Sequence, residues 1–274
     1  LKTMSLEKFF NPASVVVIGA SHNPEKAGYV IAKNFVENFS GKTFLVNPDT
    51  TPILGQKVYE SVKKVPEKMD LAVVAVRASL VPKILQECSE KKIENVVIIS
   101  SGFSEIGSAG AKLEEELKKI IKKSGIRVIG PNCIGIYDSA TRVDTVFLPP
   151  ERLLRPKQGG VAFVTQSGAV GSTIMAFFAA ERIGVSKFIS YGNAVDVNEV
   201  DLLEFLAADE KTKAIAVYLE GIKSQGRKFV EAVKKAVKRK AVILLKAGKS
   251  AKGREAVVSH TGSLAGEARI FSAV

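Results

Sequence analysis

The sequence predicts an α/β protein built on parallel sheets, and three observations lead to this prediction. Short apolar runs rich in Val and Ile recur along the 274 residues, as expected for strands buried on both faces. Segments with helical periodicity, for example 80–91 and 109–123, separate most of these runs. The chain is 46% hydrophobic and 25% charged, which is typical of a globular protein with a large core. This length favours two domains.

The predicted strands form two series on either side of an irregular segment. The first series comprises 15–19, 43–46, 71–76, 96–99 and 127–130, and the second comprises 160–165, 187–190, 214–219 and 241–245. Helices are expected between the later strands over 169–182, 200–208 and 226–238. Residues 138–158 contain three prolines and no sustained periodicity, which indicates a linker. We therefore predict one domain over 1–137 and a second over 159–274.

The end of the chain lies within a predicted helix. This helix begins near Leu264 and is cut short at Val274. A helix that stops so abruptly suggests that the second domain is truncated at its C-terminus.

Composition argues against several classes of protein. No apolar run approaches the roughly 20 residues of a membrane span, and the N-terminus lacks a signal pattern. Cys88 and Cys133 show neither pairing nor metal spacing, so we expect free thiols in a reducing, cytoplasmic setting and no metal site. High lysine content with few Met and Cys hints at a thermophile.

The net charge of +12 suggests polyanionic ligands rather than nucleic acid. The lysines are interleaved with acids on predicted helices, which indicates solvated helix faces. Because the chain has no Trp and no alternation of aromatic and basic residues, it offers no stacking platform for bases. A basic field still attracts phosphorylated small molecules.

His260 is the most informative candidate catalytic residue. It lies in Ser259-His260-Thr261-Gly262, after a basic loop over 246–254. A neutral imidazole nitrogen can attack phosphorus and form a covalent intermediate. Small and hydroxyl neighbours suit a nucleophile that must move. A surface loop histidine remains the alternative interpretation.

The loops that follow the first series of strands are candidates for phosphate binding. The first strand runs into Gly19-Ala20-Ser21 and then Lys26 before a helix, a turn that can present backbone N–H groups to phosphate. Ser21 stands where the dinucleotide fingerprint requires its second glycine, and Asn47-Pro48 provides no carboxylate for a ribose, so NAD is possible but not favoured. A tight turn without a ligand is the alternative. Further loops expected at this edge contain Val76, Arg77, Ser101, Gly102, Asn132 and Cys133.

The second series repeats this pattern. Its first strand leads into Gln166-Ser167-Gly168 and a helix, and Ser167 is a natural N-cap. Such a helix start can bind phosphate, although it can equally be an ordinary capped helix. Glu220 follows a later strand, where a carboxylate could orient a histidine.

Together these segments resemble the α subunit of ADP-forming acetyl-CoA (acyl-CoA) synthetase, an NDP-forming acyl-CoA synthetase related to succinyl-CoA synthetase. The likeness runs from about Leu6 to Val274, and it rests on 19–21, 46–48, 101–105, 130–133, 165–168 and 259–262. It implies a Rossmann-like CoA-binding domain followed by a flavodoxin-like domain. It also implies that His260 is phosphorylated, that Glu220 steadies it, and that the helix start at Ser167 holds its phosphate.

The resemblance implies ligands for each group of residues. Coenzyme A is expected at Gly19, Ala20, Ser21, Lys26, Asn47, Pro48, Val76, Arg77, Ser101, Gly102, Asn132 and Cys133. Phosphate is expected at Gln166, Ser167, Gly168, Ser259, Thr261 and Gly262.

The implied reaction converts acyl-CoA, phosphate and ADP into a carboxylic acid, CoA and ATP through acyl phosphate and phosphohistidine. No ATP-grasp segment is found in this sequence, so a β partner should bring ADP and Mg²⁺, in an expected α2β2 assembly. A CoA-binding sensor or scaffold without chemistry is the alternative. The sequence does not specify the acyl group.

Overall fold

A computed structural model describes residues 6–248 of the chain. It is an α/β structure with two sheets, which confirms the predicted class. The predictions for Ser259, His260, Thr261, Gly262 and the helix from Leu264 lie outside the described residues.

The first sheet has six parallel strands in the order β3-β2-β1-β4-β5-β6. The strands are β1 (Ser14–Ile18), β2 (Lys42–Val46), β3 (Val58–Tyr59), β4 (Leu71–Val74), β5 (Asn95–Ile98) and β6 (Arg127–Ile129). The helices are α1 (Glu7–Phe10), α2 (Ala27–Asn38), α3 (Val81–Glu90) and α4 (Ser108–Ser124). The strand order reverses beside β1, and this reversal is where open α/β sheets bind ligands.

The second sheet has the order β11-β10-β8-β9-β7. Its strands are β7 (Ile136–Asp138), β8 (Gln158–Thr165), β9 (Val185–Ser190), β10 (Ala214–Leu219) and β11 (Ala241–Lys246). Its helices are α5 (Gly168–Ala180), α6 (Glu199–Ala208) and α7 (Gly226–Val237). Strands β8 to β11 are parallel, and the order reverses at β8.

Strand β7 lies at one edge of the second sheet. It pairs antiparallel with β9, so the second sheet is only mostly parallel. The predicted boundary after residue 137 therefore falls inside a strand of the second sheet. The remainder of the predicted linker is irregular but tethered, because the Asn34 side chain donates to the backbone oxygens of Asp144 and Val146 (3.4 and 3.1 Å).

The two sheets are joined along a seam, defined here as residues 128–131 facing residues 193–197. Backbone N–H groups of 193, 195 and 197 donate to the carbonyl oxygens of 131, 130 and 128 at 3.0, 3.1 and 3.0 Å. Arg127 adds ion pairs to Asp196 and Asp201 (2.9 and 3.1 Å). Apolar side chains from both sheets form one continuous buried cluster. The seam therefore fixes the carboxyl edge of the first sheet against the second.

Within residues 6–248, no helix is long and apolar enough to cross a membrane.

Candidate functional site

A cavity of about 400 Å³ lies where the carboxyl edges of the two sheets meet. Its walls combine loops after β5 and β6 with the start of α5 and the loop after β10. The lining residues are Ile99, Ser101, Glu105, Asn132, Cys133, Ile134, Phe147, Gln166, Ser167, Gly168, Ala169, Gly192, Asn193, Glu220, Gly221 and Lys223. Predicted residues of both ligand sets, the CoA set and the phosphate set, thus share one cavity.

The start of α5 offers hydrogen-bond donors to this cavity. Ser167 is the N-cap, as predicted, and its Oγ accepts from Val170 N at 3.3 Å. The first N–H groups of a helix have no acceptor within the helix. Because Gly168 and Ala169 both line the cavity, an anion bound beside them would lie at the positive end of the helix dipole.

Gln166 joins two walls of the cavity. Its Oε1 accepts from the backbone N–H groups of Glu220 and Gly221 (2.6 and 3.0 Å), and its Nε2 donates to the carbonyl oxygen of Gly221 (2.7 Å). The side-chain amide of Gln166 is thus hydrogen-bonded on both its oxygen and its nitrogen to the loop after β10. In this arrangement Gln166 fixes the position of Glu220, and the phosphate contact expected of Gln166 stays a prediction.

Glu220 lies at the carboxyl end of β10, as predicted, and the structure shows that it is buried. Lys246 donates from Nζ to the carbonyl oxygen of Glu220 at 2.8 Å. Burial lowers the pKa of Lys246, against the opposing effect of the Glu220 charge. The pKa of Tyr218 is raised by burial and then by the charge and hydrogen bond of Glu220. Glu220 thus lies among polar groups that respond to its charge.

The loop after β1 is packed closely against the start of α2. A side chain at Gly28 would collide with the carbonyl oxygen of Gly19, so α2 can start directly against the loop only with glycine there. Asn47 donates from Nδ2 to the Ala20 oxygen at 2.5 Å and so ties the loops after β1 and β2 together. Lys26 is the extended N-cap of α2.

The predicted CoA residues divide into two groups. Ser101, Asn132 and Cys133 line the cavity. The others follow β1, β2 or β4 along the same edge of the sheet: Gly19, Ala20, Ser21, Lys26, Asn47, Pro48, Val76 and Arg77. Gly102 follows Ser101 and donates its N–H to Glu105 at 2.6 Å.

Cys133 packs into the cavity wall and is not an activated thiol. Its Sγ lies 3.4 Å from the carbonyl oxygen of Ile98, and burial raises the pKa of Cys133 to about 12. Thiolate reactivity requires a lowered pKa. The residue therefore contributes shape to the cavity.

Three charged or polar residues of the cavity were not among the predicted site residues: Glu105, Asn193 and Lys223, although Glu105 belongs to the segment 101–105 that carries the resemblance. Each follows a predicted strand within a few residues, so the strand-end argument applied to 101–102 and 220 could have found them. Burial acts to raise the pKa of Glu105, but hydrogen bonds from Asn193, Gly102 and Phe103 outweigh it and leave the pKa below its ordinary value. Among residues 6–248, no group of His, Cys, Asp and Glu could hold a metal ion.

The structure consists of two α/β sheets around a shared cavity, and comparison with known proteins assigns a family to each part of the chain. Residues 13–139 match the family described as a CoA binding domain, and residues 158–274 match the succinyl-CoA ligase like flavodoxin domain. Together the two matches take up most of the chain, and over 98% of its length the chain is similar to the α subunits of ADP-forming acetate–CoA ligases.

Individual relatives match nearly the whole chain. It is 47% identical over 268 residues to the α subunit of acetate–CoA ligase [ADP-forming] II of Pyrococcus furiosus, covering 98% of this chain and 57% of that protein. It is 38% identical to 4-hydroxybutyrate–CoA ligase [ADP-forming] of Nitrosopumilus maritimus, covering 99% of this chain and 39% of that one.

A solved structure shows the same fold. The dinucleotide forming acetyl-coenzyme A synthetase 1 of Ca. Korarchaeum cryptofilum, in complex with phosphate and ADP, superposes with a TM-score of 0.91 at 39% identity. That match covers 98% of this chain and 57% of the other. The chain thus spans little more than half the length of the α subunit and of this solved structure.

Proposed function

We propose that this chain carries the CoA-binding and phosphohistidine parts of an ADP-forming acyl-CoA synthetase. The observation that carries the proposal is the shared cavity: loops of the CoA-binding domain, the start of α5 and Glu220 all line it. An acyl-CoA thioester and a phosphate ion could therefore be bound side by side in this one cavity. The family match and the relatives named above support the same reaction.

The proposed chemistry has three balanced steps. A phosphate oxygen attacks the thioester carbonyl carbon, the C–S bond breaks, and acyl phosphate and CoA form. A ring nitrogen of His260 attacks phosphorus, the bond from phosphorus to the acyl oxygen breaks, and the carboxylate leaves. ADP then takes the phosphoryl group, which yields ATP and restores the histidine.

The described residues would serve these steps by placement and charge, which is what phosphoryl transfer chiefly requires. The N–H groups of Gly168 and Ala169 would hold phosphate oxygens at the start of α5. Glu220 would orient the imidazole and stabilise its charged form, and Gln166 would keep that carboxylate at the cavity wall. The apolar surfaces of Ile134 and Phe147 would adjoin the acyl group.

A partner with an ATP-grasp domain is proposed to supply ADP and Mg²⁺. Two relatives of Pyrococcus furiosus are α subunits by name, which implies that they act with another subunit. In-line transfer requires ADP to be held opposite the phosphohistidine. We propose an α2β2 assembly in a cytoplasmic setting.

The deciding experiment is phosphate labelling of His260→Ala. The wild-type chain with its partner subunit should incorporate radioactive phosphate from acetyl-CoA and phosphate, and should form ATP when ADP is added. His260→Ala should do neither while binding CoA normally. His22→Ala is the matched control, because it removes the only other histidine, and it should still be labelled. Labelling of the His260→Ala protein would refute the assignment, and an unlabelled wild type that binds CoA would favour a sensor or scaffold.

A further inference from the structure

Asn193 is the point where the second sheet contacts the cavity loops of the first. It lies in the turn after β9, and its side-chain Nδ2 is within hydrogen-bond distance of three oxygens: Glu105 Oε2 (2.8 Å), Glu114 Oε2 (3.0 Å) and Ser104 Oγ (3.2 Å). Its Oδ1 accepts from Asn132 Nδ2 at 3.3 Å. One amide thus meets two carboxylates and a hydroxyl of the CoA-binding domain.

The carboxylate of Glu105 links Asn193 to the turn that contains Ser101 and Gly102. Its Oε1 accepts from the backbone N–H groups of Gly102 and Phe103 at 2.6 and 3.1 Å, while its Oε2 receives Asn193. The turn therefore takes its shape from a carboxylate whose other oxygen is held by the second sheet. Ser101 lies on this turn and lines the cavity.

The backbone of the Asn193 turn has no room to shift. The backbone N–H of Asn193 donates to the carbonyl oxygen of Pro131 at 3.0 Å, as part of the seam. A side chain at Gly192 would collide with the carbonyl oxygens of Pro131 and Asn132. The amide is thus presented from a fixed backbone.

We propose that Asn193 is a positioning residue that couples the two halves of the cavity, holding the Ser101–Phe103 turn in the shape that binds CoA. The inference rests on the proposed function, because it assigns CoA to that turn. An amide suits this position because it donates to both carboxylates while it accepts from Asn132. A residue of the flavodoxin-like domain would then control the affinity of the other domain for CoA.

Asn193→Asp tests the coupling because it keeps the shape and removes the donor. It places a third carboxylate against Glu105 and Glu114, where like charges repel. We expect the dissociation constant for CoA to rise at least about tenfold, as for the loss of a hydrogen bond to a charged group. Titration calorimetry of the 274-residue chain with CoA measures this change.

A second substitution should restore binding. In Asn193→Asp with Glu105→Gln, Oε1 of the new glutamine can still accept from Gly102 and Phe103, while its Nε2 donates to the aspartate. The double variant should bind CoA more tightly than Asn193→Asp alone, which a double-mutant cycle would register as coupling. Asn38→Asp, the same change on the exposed end of α2, should leave binding unaltered.

Kinetics with the partner subunit separate positioning from general damage. The KM for acyl-CoA should rise in Asn193→Asp while the KM for phosphate stays constant, whereas a merely structural role would move both. Unaltered CoA binding, equal changes in both KM values, or no rescue by Glu105→Gln would each overturn the inference. If Asn193→Asp does not fold, Asn193→Ala takes its place and must itself weaken CoA binding. A wild-type chain that fails to bind CoA would refute the proposed function and this inference together.

Discussion

Replacing Gln166 should disturb both the stability of the protein and the placement of Glu220. In Gln166→Leu the side chain keeps a similar size but loses all three hydrogen bonds to the backbone of Glu220 and Gly221, which measure 2.6, 3.0 and 2.7 Å. Gln166 is buried, with 7% of its surface exposed, so water cannot readily replace the lost partners. Gln166→Glu is the matched variant, because it can keep the two acceptor bonds and loses only the donor.

The expected cost follows from the number of bonds. At about 1 kcal/mol for each hydrogen bond, Gln166→Leu should lower the free energy of unfolding by about 3 kcal/mol. For a chain of this size, that corresponds to a fall in Tm of about 6–12 °C. Gln166→Glu should lose less stability, although its extra oxygen faces the carbonyl of Gly221.

Two assays test this reasoning. Urea denaturation followed by circular dichroism gives the stability of each variant, and the rate of phosphate labelling with the partner subunit reports the placement of Glu220. Labelling should slow in Gln166→Leu even at temperatures where the variant is fully folded. A stability loss below about 1 kcal/mol would show that the three bonds contribute little net free energy. Labelling at the wild-type rate would show that Gln166 does not position Glu220.

Three further predictions concern the seam, the thiols and acid stability. Gly192→Ala should lower the free energy of unfolding by at least about 2 kcal/mol, because φ is +52° and the new methyl group would collide with a carbonyl oxygen of the neighbouring loop; denaturant titration measures this loss, and wild-type stability would contradict it. Burial raises the pKa of Cys88 and Cys133 to about 12, so neither should react with Ellman's reagent at about pH 8 until the protein is unfolded, and rapid labelling of the folded protein would contradict this. Burial acts to raise the pKa of Asp209, but its hydrogen bond from Lys187 helps to bring the pKa below 3.8. The ionised Asp209 therefore stabilises the fold above its unfolded pKa and loses that contribution as the pH falls towards the folded pKa. Asp209→Asn should then lose less stability on acidification than wild type. Denaturant titrations at decreasing pH measure this difference, and an equal loss of stability in the two proteins would contradict the prediction.

The sequence located the parallel strands well because their apolar runs are a direct consequence of burial on both faces. The run at 15–19 becomes β1, and the run at 214–219 becomes β10 with its predicted bounds. Strand β7 was missed for the opposite reason. Three residues are too few to show a period, and its pairing with β9 is decided by contacts distant in the chain.

The candidate site shows a similar division. The places of Ser167 and Glu220 follow from local rules, namely an N-cap serine and a carboxylate after a strand, and the structure brings both to one cavity. The role of Gln166 could not be predicted, because its partners are 54 and 55 residues away in the chain. The role of Asn193 could not be predicted either, because its amide contacts carboxylates that lie 88 and 79 residues earlier in the chain. The residues around His260 stay predictions, since they lie outside residues 6–248.

The seam has a consequence for how such proteins can diverge. Its three hydrogen bonds join backbone N–H groups to backbone carbonyls, so most side chains along it can change without loss of the bonds themselves. Proline is the residue type excluded at the donor positions, because it lacks the N–H group. The relative placement of the two sheets therefore does not depend on which side chains line the neighbouring cavity. Cavity side chains can therefore change between lineages while the docking of one sheet against the other is inherited intact.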